Sequence, residues 1–342
     1  MLWLISGLVA IWVLSHALVT TTRDRRIINS LNSLAAEGRH AEVLDHPLPS
    51  RANRPAVRVL QAASAVQTGR YAVALALLHR LGPRVRGSDP QAPMLMRAAA
   101  LVGLGRYLEA ATMLGDRPVP GAVRRLRAAV AVELGDDALA EELLGGPHLD
   151  LLEESGRLRL LGDFRMRRGR LREAEELVTQ SAALNARLDI PGADVDGAYC
   201  QVLLGKIALR AGDVVRAVAL TTQGLAAMEQ RPDNAPGLAE THAVAAQAVA
   251  ASGDAAAAQD HLRAAHHHAS RCGSPALDAE LAHATAQVSL HLCQPAEARR
   301  WLQEALRRRL DLGEKPAADE IRDALAALEV ERVREADAAL DS

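Results

Sequence analysis

The chain has 342 residues and a net charge of −2, is 49% hydrophobic, and contains three Trp, three Tyr, one Phe and three Cys. The near-neutral charge argues against a nucleic-acid-binding protein, which normally carries a basic excess, and three scattered cysteines exclude a disulfide scaffold. Abundant Ala, Leu and Arg with so few aromatic residues favour helices over strands, so the sequence predicts an all-α protein.

The first predicted element is a single transmembrane helix at residues 1–22. Residues 2–19 are apolar apart from two serines, one glycine and one histidine. A helix of that length spans about 27 Å, close to the hydrocarbon thickness of a bilayer. Arg23, Arg25 and Arg26 follow at once, and positive charge marks the cytoplasmic flank of a span. We therefore expect a single-pass protein of the cell inner membrane with its repeat domain in the cytoplasm.

A cleaved signal peptide is the alternative for this segment, and it would make the protein an exported one. Ala17 offers a small residue suited to cleavage. No basic residue precedes Leu2, however, and the arginines that follow the segment disfavour export. The sequence favours the uncleaved anchor and leaves the exported form as the alternative.

A short pattern recurs downstream of the apolar segment. Its turn residues are Gly38, Gly69, Gly105, Gly135, Gly169, Gly212, Gly253 and Cys293. Seven of the eight copies also have a small residue seven places before the turn residue and an Ala five places after it. Six of them have an apolar residue nine places after it, and Thr221 is the exception. The turn residues lie 30–43 places apart, and the last three intervals are the longest.

This pattern predicts a series of helix hairpins. Glycine ends the first helix because it adopts the left-handed conformation without a Cβ penalty. Asp136, Asp213 and Asp254 follow directly and suit the N-cap of the second helix. The small residues let the two helices cross closely, and the apolar residue fills the space beside the crossing. One hairpin cannot bury its apolar face alone, so the hairpins are expected to stack in a row.

The pattern resembles the tetratricopeptide repeat (TPR) family, and the sequence Gly-Arg-Tyr-Leu-Glu-Ala at residues 105–110 carries the likeness most clearly. The resemblance implies a right-handed α-solenoid of about eight helix pairs, each about 34 residues long, over residues 23–315. A capping helix is expected at residues 316–342. Most of the family's aromatic residues are replaced here by Ala or Leu. The long last intervals predict extra helical turns in the late repeats.

No motif that carries a catalytic mechanism or holds a cofactor is present, whether a P-loop, G-x-G-x-x-G, H-E-x-x-H or G-x-S-x-G. The sequence therefore predicts a protein that is not an enzyme, with no catalytic residue, metal or cofactor. A metal-binding protein is a less favoured alternative, because imidazoles and thiolates bind zinc and copper. Its ligands would come from one predicted helix and the next: His261, His266, His267, His268 and Cys272, then His283, His291 and Cys293. Consecutive histidines point about 100° apart on a helix and cannot all face one ion.

The resemblance also implies a concave groove lined by the first helix of each pair. In the middle repeats the implied groove positions are basic or aromatic: Arg125, Arg159, Arg167, Tyr199, Lys206 and Arg210. In the late repeats they become polar and include Glu240 and Glu280. Arginine binds carboxylates bidentately and Tyr adds a rigid anchor, so the basic set is a candidate site for an acidic peptide segment. Asp163 and Glu133 belong to the same set and would weaken the positive field. The alternative is that the arginines pair with aspartates of adjacent first helices.

These observations predict a membrane-anchored TPR scaffold that binds a protein or peptide partner through its groove and binds no nucleic acid. Anchoring would raise the local concentration of a captured partner at the membrane surface.

Overall fold

The computed structural model describes residues 22–47, 54–81, 91–115, 121–145, 150–188 and 192–340, and every regular element in these ranges is an α-helix. The all-α prediction is therefore confirmed for this part of the chain. The transmembrane helix predicted at residues 1–22 lies outside the described residues except for Thr22. Within the described ranges, no helix combines the length and the apolar character needed to cross a bilayer.

Seventeen helices follow one another in the described ranges: α1 Thr22–Ala36, α2 His40–Asp45, α3 Arg54–Gln67, α4 Tyr71–His79, α5 Gln91–Gly103, α6 Tyr107–Leu114, α7 Gly121–Leu134, α8 Asp137–Leu144, α9 Leu151–Arg167, α10 Leu171–Asn185, α11 Ala193–Arg210, α12 Val214–Glu229, α13 Ala235–Ala251, α14 Ala255–Ser270, α15 Pro275–His291, α16 Pro295–Leu312 and α17 Lys315–Leu340. The last six helices before α17 have 16–18 residues, whereas α3 to α8 have 8–14. The extra turns predicted from the longer late intervals are therefore present.

The helices pack as eight successive pairs, from α1 with α2 to α15 with α16. The first helix of each pair also contacts the first helix of the next, all the way from α1 to α15. The last helix, α17, packs on α16, and its Ile321 and Leu328 join the buried cluster around Leu302. The solenoid of helix pairs predicted from the repeats is thus confirmed in the described chain.

All eight predicted turn residues have the left-handed backbone conformation that the hairpin requires. The seven glycines have φ between 74° and 90°, and Cys293 has φ 56°. In each copy, the backbone N–H of the following residue donates to the carbonyl five places earlier at 2.7–3.0 Å. The side chains of Asp136, Asp213 and Asp254 accept a hydrogen bond from the backbone N–H three places later, as expected of N-caps. These bonds satisfy donors and acceptors that a helix end leaves open.

In the seven pairs that follow the first, the two helices cross at the predicted small residues. The alanines before the turn, such as Ala62 and Ala98, and those after it, such as Ala74 and Ala110, are fully buried. At Gly162 a Cβ atom would lie 2.4 Å from Cγ2 of Val178, which is too close for any side chain. Thr221 stands where the other copies have an apolar residue. It is accommodated in this buried position because its hydroxyl donates to the carbonyl of Ala217 at 2.9 Å.

The solenoid closes on itself along a contact that we call the seam, where the turns of the first four pairs meet the ends of late helices and the loops between them. A Cβ atom at Gly69 would lie 2.7 Å from Cγ of Pro236 and 2.7 Å from Sγ of Cys272. A Cβ at Gly105 would lie 2.5 Å from Cδ2 of Leu312, and one at Gly135 would lie 2.9 Å from Cγ of Pro316. The turns therefore fit against the late helices only because they lack a side chain.

Polar bonds also join the two sides of the seam. The backbone N–H of Ala41 donates to Oδ2 of Asp233 at 3.0 Å, and the Ser274 hydroxyl donates to the carbonyl of Gly103. The Tyr107 hydroxyl donates to Oε1 of Glu314 at 2.6 Å. Since these partners lie about two hundred places apart in the chain, the seam makes the early and late pairs depend on each other.

Cys293 is the one non-glycine residue with a positive φ in the part of the chain that the structure describes. We expect Cys293→Gly to raise the free energy of unfolding by about 0.5–1 kcal/mol, because glycine removes the steric cost of the left-handed conformation but adds backbone entropy to the unfolded chain. Urea unfolding followed by circular dichroism measures the change. Cys293→Ala keeps the strain and is the control. Equal stabilisation by both variants would contradict the backbone explanation.

Candidate functional site

The candidate site is a charged cavity on the inner side of the solenoid, formed mainly by the first helices of the middle and late pairs. Its volume is about 70 Å³. It is lined by four acidic and four basic side chains: Glu133, Asp163, Glu240, Glu280, Arg159, Arg167, Lys206 and Arg309. We call this cavity, with the residues that line it, the lumen. Three of the six residues predicted for the groove, Arg159, Arg167 and Lys206, line the lumen.

Two of the predicted groove arginines are buried and bound within the protein. Arg125 donates through Nη1 to the carbonyls of Leu152 and Glu153, at 2.9 Å and 3.2 Å, and so ties α7 to the beginning of α9. The guanidinium of Arg159 lies 3.1 Å from a carboxylate oxygen of Asp196. Both arginines therefore link neighbouring first helices.

The predicted aromatic anchor, Tyr199, is also buried, with 2% of its surface exposed. Nδ2 of Asn234 donates to its hydroxyl at 3.0 Å, and the guanidinium of Arg159 lies 5.5 Å from the centre of its ring. Burial raises the pKa of the Tyr199 hydroxyl above its ordinary value. The structure thus places Tyr199 behind the lumen wall, where it supports Arg159.

The other three predicted basic residues are partly exposed. The exposed fractions of the side chains of Arg167, Lys206 and Arg210 are 31%, 23% and 37%. Each also has an acidic partner: Arg167 pairs with Glu133 and Asp163, both at 3.0 Å, Lys206 with Glu280 at 3.4 Å, and Arg210 with Glu320 at 2.6 Å. Pairing between adjacent first helices, which stood as the alternative, is present at Arg159–Asp196 and Arg167–Glu133, whereas the partners of Lys206 and Arg210 lie on more distant helices. The lumen is balanced in charge rather than basic.

A buried network that the sequence analysis missed closes the late side of the lumen. Arg309 of α16 pairs with Glu280 and with the fully buried Glu314, and Glu314 also accepts the hydrogen bond from Tyr107. Burial opposes ionisation of Glu280, but Lys206 and Arg309 outweigh it and hold its pKa well below the usual range. The only signal in the sequence was the polar character of Glu280 at a groove position, because Arg309 and Glu314 lie outside the groove pattern.

Glu240 differs from the other acids of the lumen. Only 5% of its surface is exposed, and its Oε2 has no hydrogen-bond partner in the described part of the chain. Burial is the largest cause of its pKa, which is raised to about 7. A carboxyl group with this pKa changes its charge near neutral pH.

Most histidines of α14 lie near His242, whereas His266 lies beside Trp301. Nδ1 of His261 lies 3.1 Å from Nδ1 of His242, and the ring of His268 stacks on His242 with its centre 5.7 Å away. Cys272 packs at the seam against Gly69. Among the described residues, no group of three or more His, Cys, Asp or Glu side chains is arranged to hold a metal ion.

No protein-family profile matches the sequence, and no curated protein matches it. Solved structures do match its fold. One is the APC/C hetero-tetramer Cut9–Hcn1, with a TM-score of 0.55 and 20% identity over 86% of this chain and 54% of the other. Another is a Rap protein complexed with Competence and Sporulation Factor, with a TM-score of 0.53 and 9% identity over 96% of this chain and 99% of the other.

These matches confirm the TPR type of fold. The chain spans about half the length of the Cut9–Hcn1 chain that it matches and nearly the whole length of the Rap protein. Identities this low establish the fold alone.

Proposed function

We propose that the protein is a scaffold that binds a segment of a protein partner in the lumen and has no catalytic activity of its own. The observation that carries the proposal is a lined cavity whose charged side chains come from several successive first helices. TPR-like neighbours are found in protein complexes: Cut9 with Hcn1, and a Rap protein with Competence and Sporulation Factor. A concave face built from repeats offers the extended binding surface that such a role needs.

The partner's carboxylates would bind at Arg167, Lys206 and Arg210, the partly exposed members of the predicted groove set. Their present acidic partners come from this chain, so binding would exchange one carboxylate for another. Such an exchange costs little desolvation at partly exposed sites. Arg125, Arg159 and Tyr199 would hold the lumen wall in place rather than contact the partner. Because the lumen has equal numbers of acidic and basic side chains, the partner segment would carry both signs, with its acidic groups at this end.

We also propose that residues 1–22 hold the scaffold at the inner membrane with the repeats in the cytoplasm. The apolar composition of residues 2–19 and the three arginines that follow support this arrangement. An anchored scaffold would present its partner at the membrane surface.

The test is selection of peptides from a random display library on the full-length chain in detergent, followed by affinity measurement. We expect the double variant Lys206→Ala/Arg210→Ala to weaken binding of the selected peptides by about tenfold or more, because it removes two charge-assisted contacts. The control variant is Arg172→Ala/Arg263→Ala, which removes two arginines whose side chains are 93% and 74% exposed.

Binding that is unchanged in the lumen variant, or that falls equally in the control, would contradict the proposed site. Failure of the library to yield any peptide that competes for the lumen would contradict the proposed function itself.

A further inference from the structure

One carboxyl oxygen of the lumen, Oε2 of Glu240, has no hydrogen-bond partner among the described residues. Glu133 and Asp163 pair with Arg167, and Glu280 pairs with Lys206 and Arg309. Glu240 projects from α13 into the same cavity with Oε2 unpartnered, although 95% of its surface is buried. An unpartnered buried carboxyl oxygen costs free energy that a ligand can recover by donating to it.

The basic groups that line the cavity are already engaged. Arg159 lies against Asp196, Arg167 against Glu133 and Asp163, and Arg309 against Glu280 and Glu314. The ammonium of Lys206 attracts Glu240 and also donates to Glu280 at 3.4 Å, so more than one acid shares it. A further cation beside Oε2 of Glu240 would therefore complete its surroundings.

We propose that Glu240 is the binding site for a primary ammonium group of the partner segment, supplied by a lysine side chain or by a peptide amino terminus. This inference rests on the proposed function and deepens it. An ammonium group has three N–H donors and no acceptor, so it can donate to Oε2 of Glu240 and still bind water or other lumen oxygens. The cavity has space for more than one water molecule, which such a group would replace.

The described titratable groups near Glu240 belong to four helices and also include Cys272 at the seam. Asp163 of α9 and Glu280 of α15 repel its charge, Lys206 of α11 attracts it, and Tyr199 of α11 and Tyr71 of α4 lie within its field. A bound ammonium would relieve the repulsion among the three acids. Arg167, Lys206 and Arg210 would bind a negative group of the segment, and Glu240 would bind a positive group. Two contacts of opposite sign would fix the direction in which the segment lies.

The first experiment titrates the full-length chain with n-butylammonium chloride and follows the isotope-labelled carboxyl group of Glu240 by NMR, with Glu240→Gln to assign its signal. We expect the pKa of Glu240 to be near 7 without the probe and to fall by about 1–3 pH units when the probe is bound. The neutral isostere 1-butanol and sodium chloride at equal ionic strength are the controls. The proposal would be overturned if 1-butanol lowered the pKa of Glu240 as much as butylammonium does, or if butylammonium left this pKa unchanged.

Glu240→Gln removes the charge but keeps the size of the side chain, and because no internal bond to Oε2 is lost, we expect the variant to fold. Butylammonium binding measured by calorimetry should fall at least about tenfold in this variant. The matched control is Glu142→Gln at an exposed position of α8. Undiminished binding in Glu240→Gln would contradict the assignment. The methylamides of N-acetyllysine and of alanine, used as probes in turn, show whether a side-chain ammonium or an amino terminus is preferred.

The results separate this inference from the proposed function. If selected peptides bind the lumen with equal affinity in the wild type and in Glu240→Gln, the ammonium site is wrong while the scaffold function stands. If butylammonium lowers the pKa of Glu240 but no peptide binds the lumen, the ammonium site stands and the scaffold function fails.

Discussion

Arg309→Met is expected to lower the free energy of unfolding by about 3–5 kcal/mol, the usual cost of removing one partner from a buried ion pair. Arg309 is 6% exposed and contacts Glu314, which is fully buried, as well as Glu280. Without it, Glu314 would keep the hydrogen bond from Tyr107 but no opposite charge. Urea unfolding of the wild type and the variant measures the difference.

The matched control for this prediction lies two residues away on the same helix. Arg307 pairs with Glu304 and Asp311 at the surface, and we expect Arg307→Met to leave the free energy of unfolding unchanged within error.

The double variant Arg309→Met/Glu314→Gln should recover part of the loss, because it removes the isolated buried charge. The loss in Arg309→Met should also shrink as the pH falls and Glu314 and Glu280 take up protons. Equal effects of Arg307→Met and Arg309→Met would contradict the role of the buried network.

Gly69→Ala is expected to lower the free energy of unfolding by about 2–4 kcal/mol, because it combines left-handed strain with overpacking. Gly69 has φ 76°, and its new Cβ would lie 2.7 Å from atoms of both Pro236 and Cys272 across the seam. Relief of the overlap requires the seam to open. We therefore also expect a larger radius of gyration in solution scattering.

Gly212→Ala is the control for the seam. Gly212 is the turn residue of a later pair and has φ 81°, and a Cβ atom added there would meet nothing within 4 Å beyond its chain neighbours. This variant should lower the free energy of unfolding only by the backbone strain, about 1 kcal/mol, and should leave the radius of gyration unchanged. If Gly69→Ala and Gly212→Ala are equally destabilising, the seam contributes nothing to stability.

The hairpin architecture could be predicted from sequence because its determinants are local. Each hairpin depends on three kinds of residue, namely the turn residue, the helix cap and the small crossing residue; examples are Gly105, Asp136 and Gly162. These residues act on neighbours within the same hairpin, so one repeat pattern in the sequence predicts every hairpin. Even the deviation at Cys293 followed the pattern, since it adopts the same left-handed conformation as the glycines it replaces.

The seam and the pairing inside the lumen could not be predicted in the same way. Whether Gly69 meets Pro236 depends on how many pairs make one turn of the solenoid, and this follows from small rotations summed over every interface. The basic groove positions were recognisable, but their charge partners lie on other helices. Asp196, for example, lies outside the groove pattern and yet pairs with Arg159. The sequence therefore indicated most of the charged residues of the lumen but not how they pair with one another.

The seam also constrains how this chain can evolve. The turn of the second pair meets the start of the seventh, that of the third meets the eighth, and that of the fourth meets α17, so each contact joins units five places apart. Duplication or loss of an internal unit, which an open array tolerates, would here bring together residues that were never selected to fit. The units should consequently have diverged into individual, non-interchangeable copies, with substitutions at an early turn matched by substitutions at its counterpart five units later.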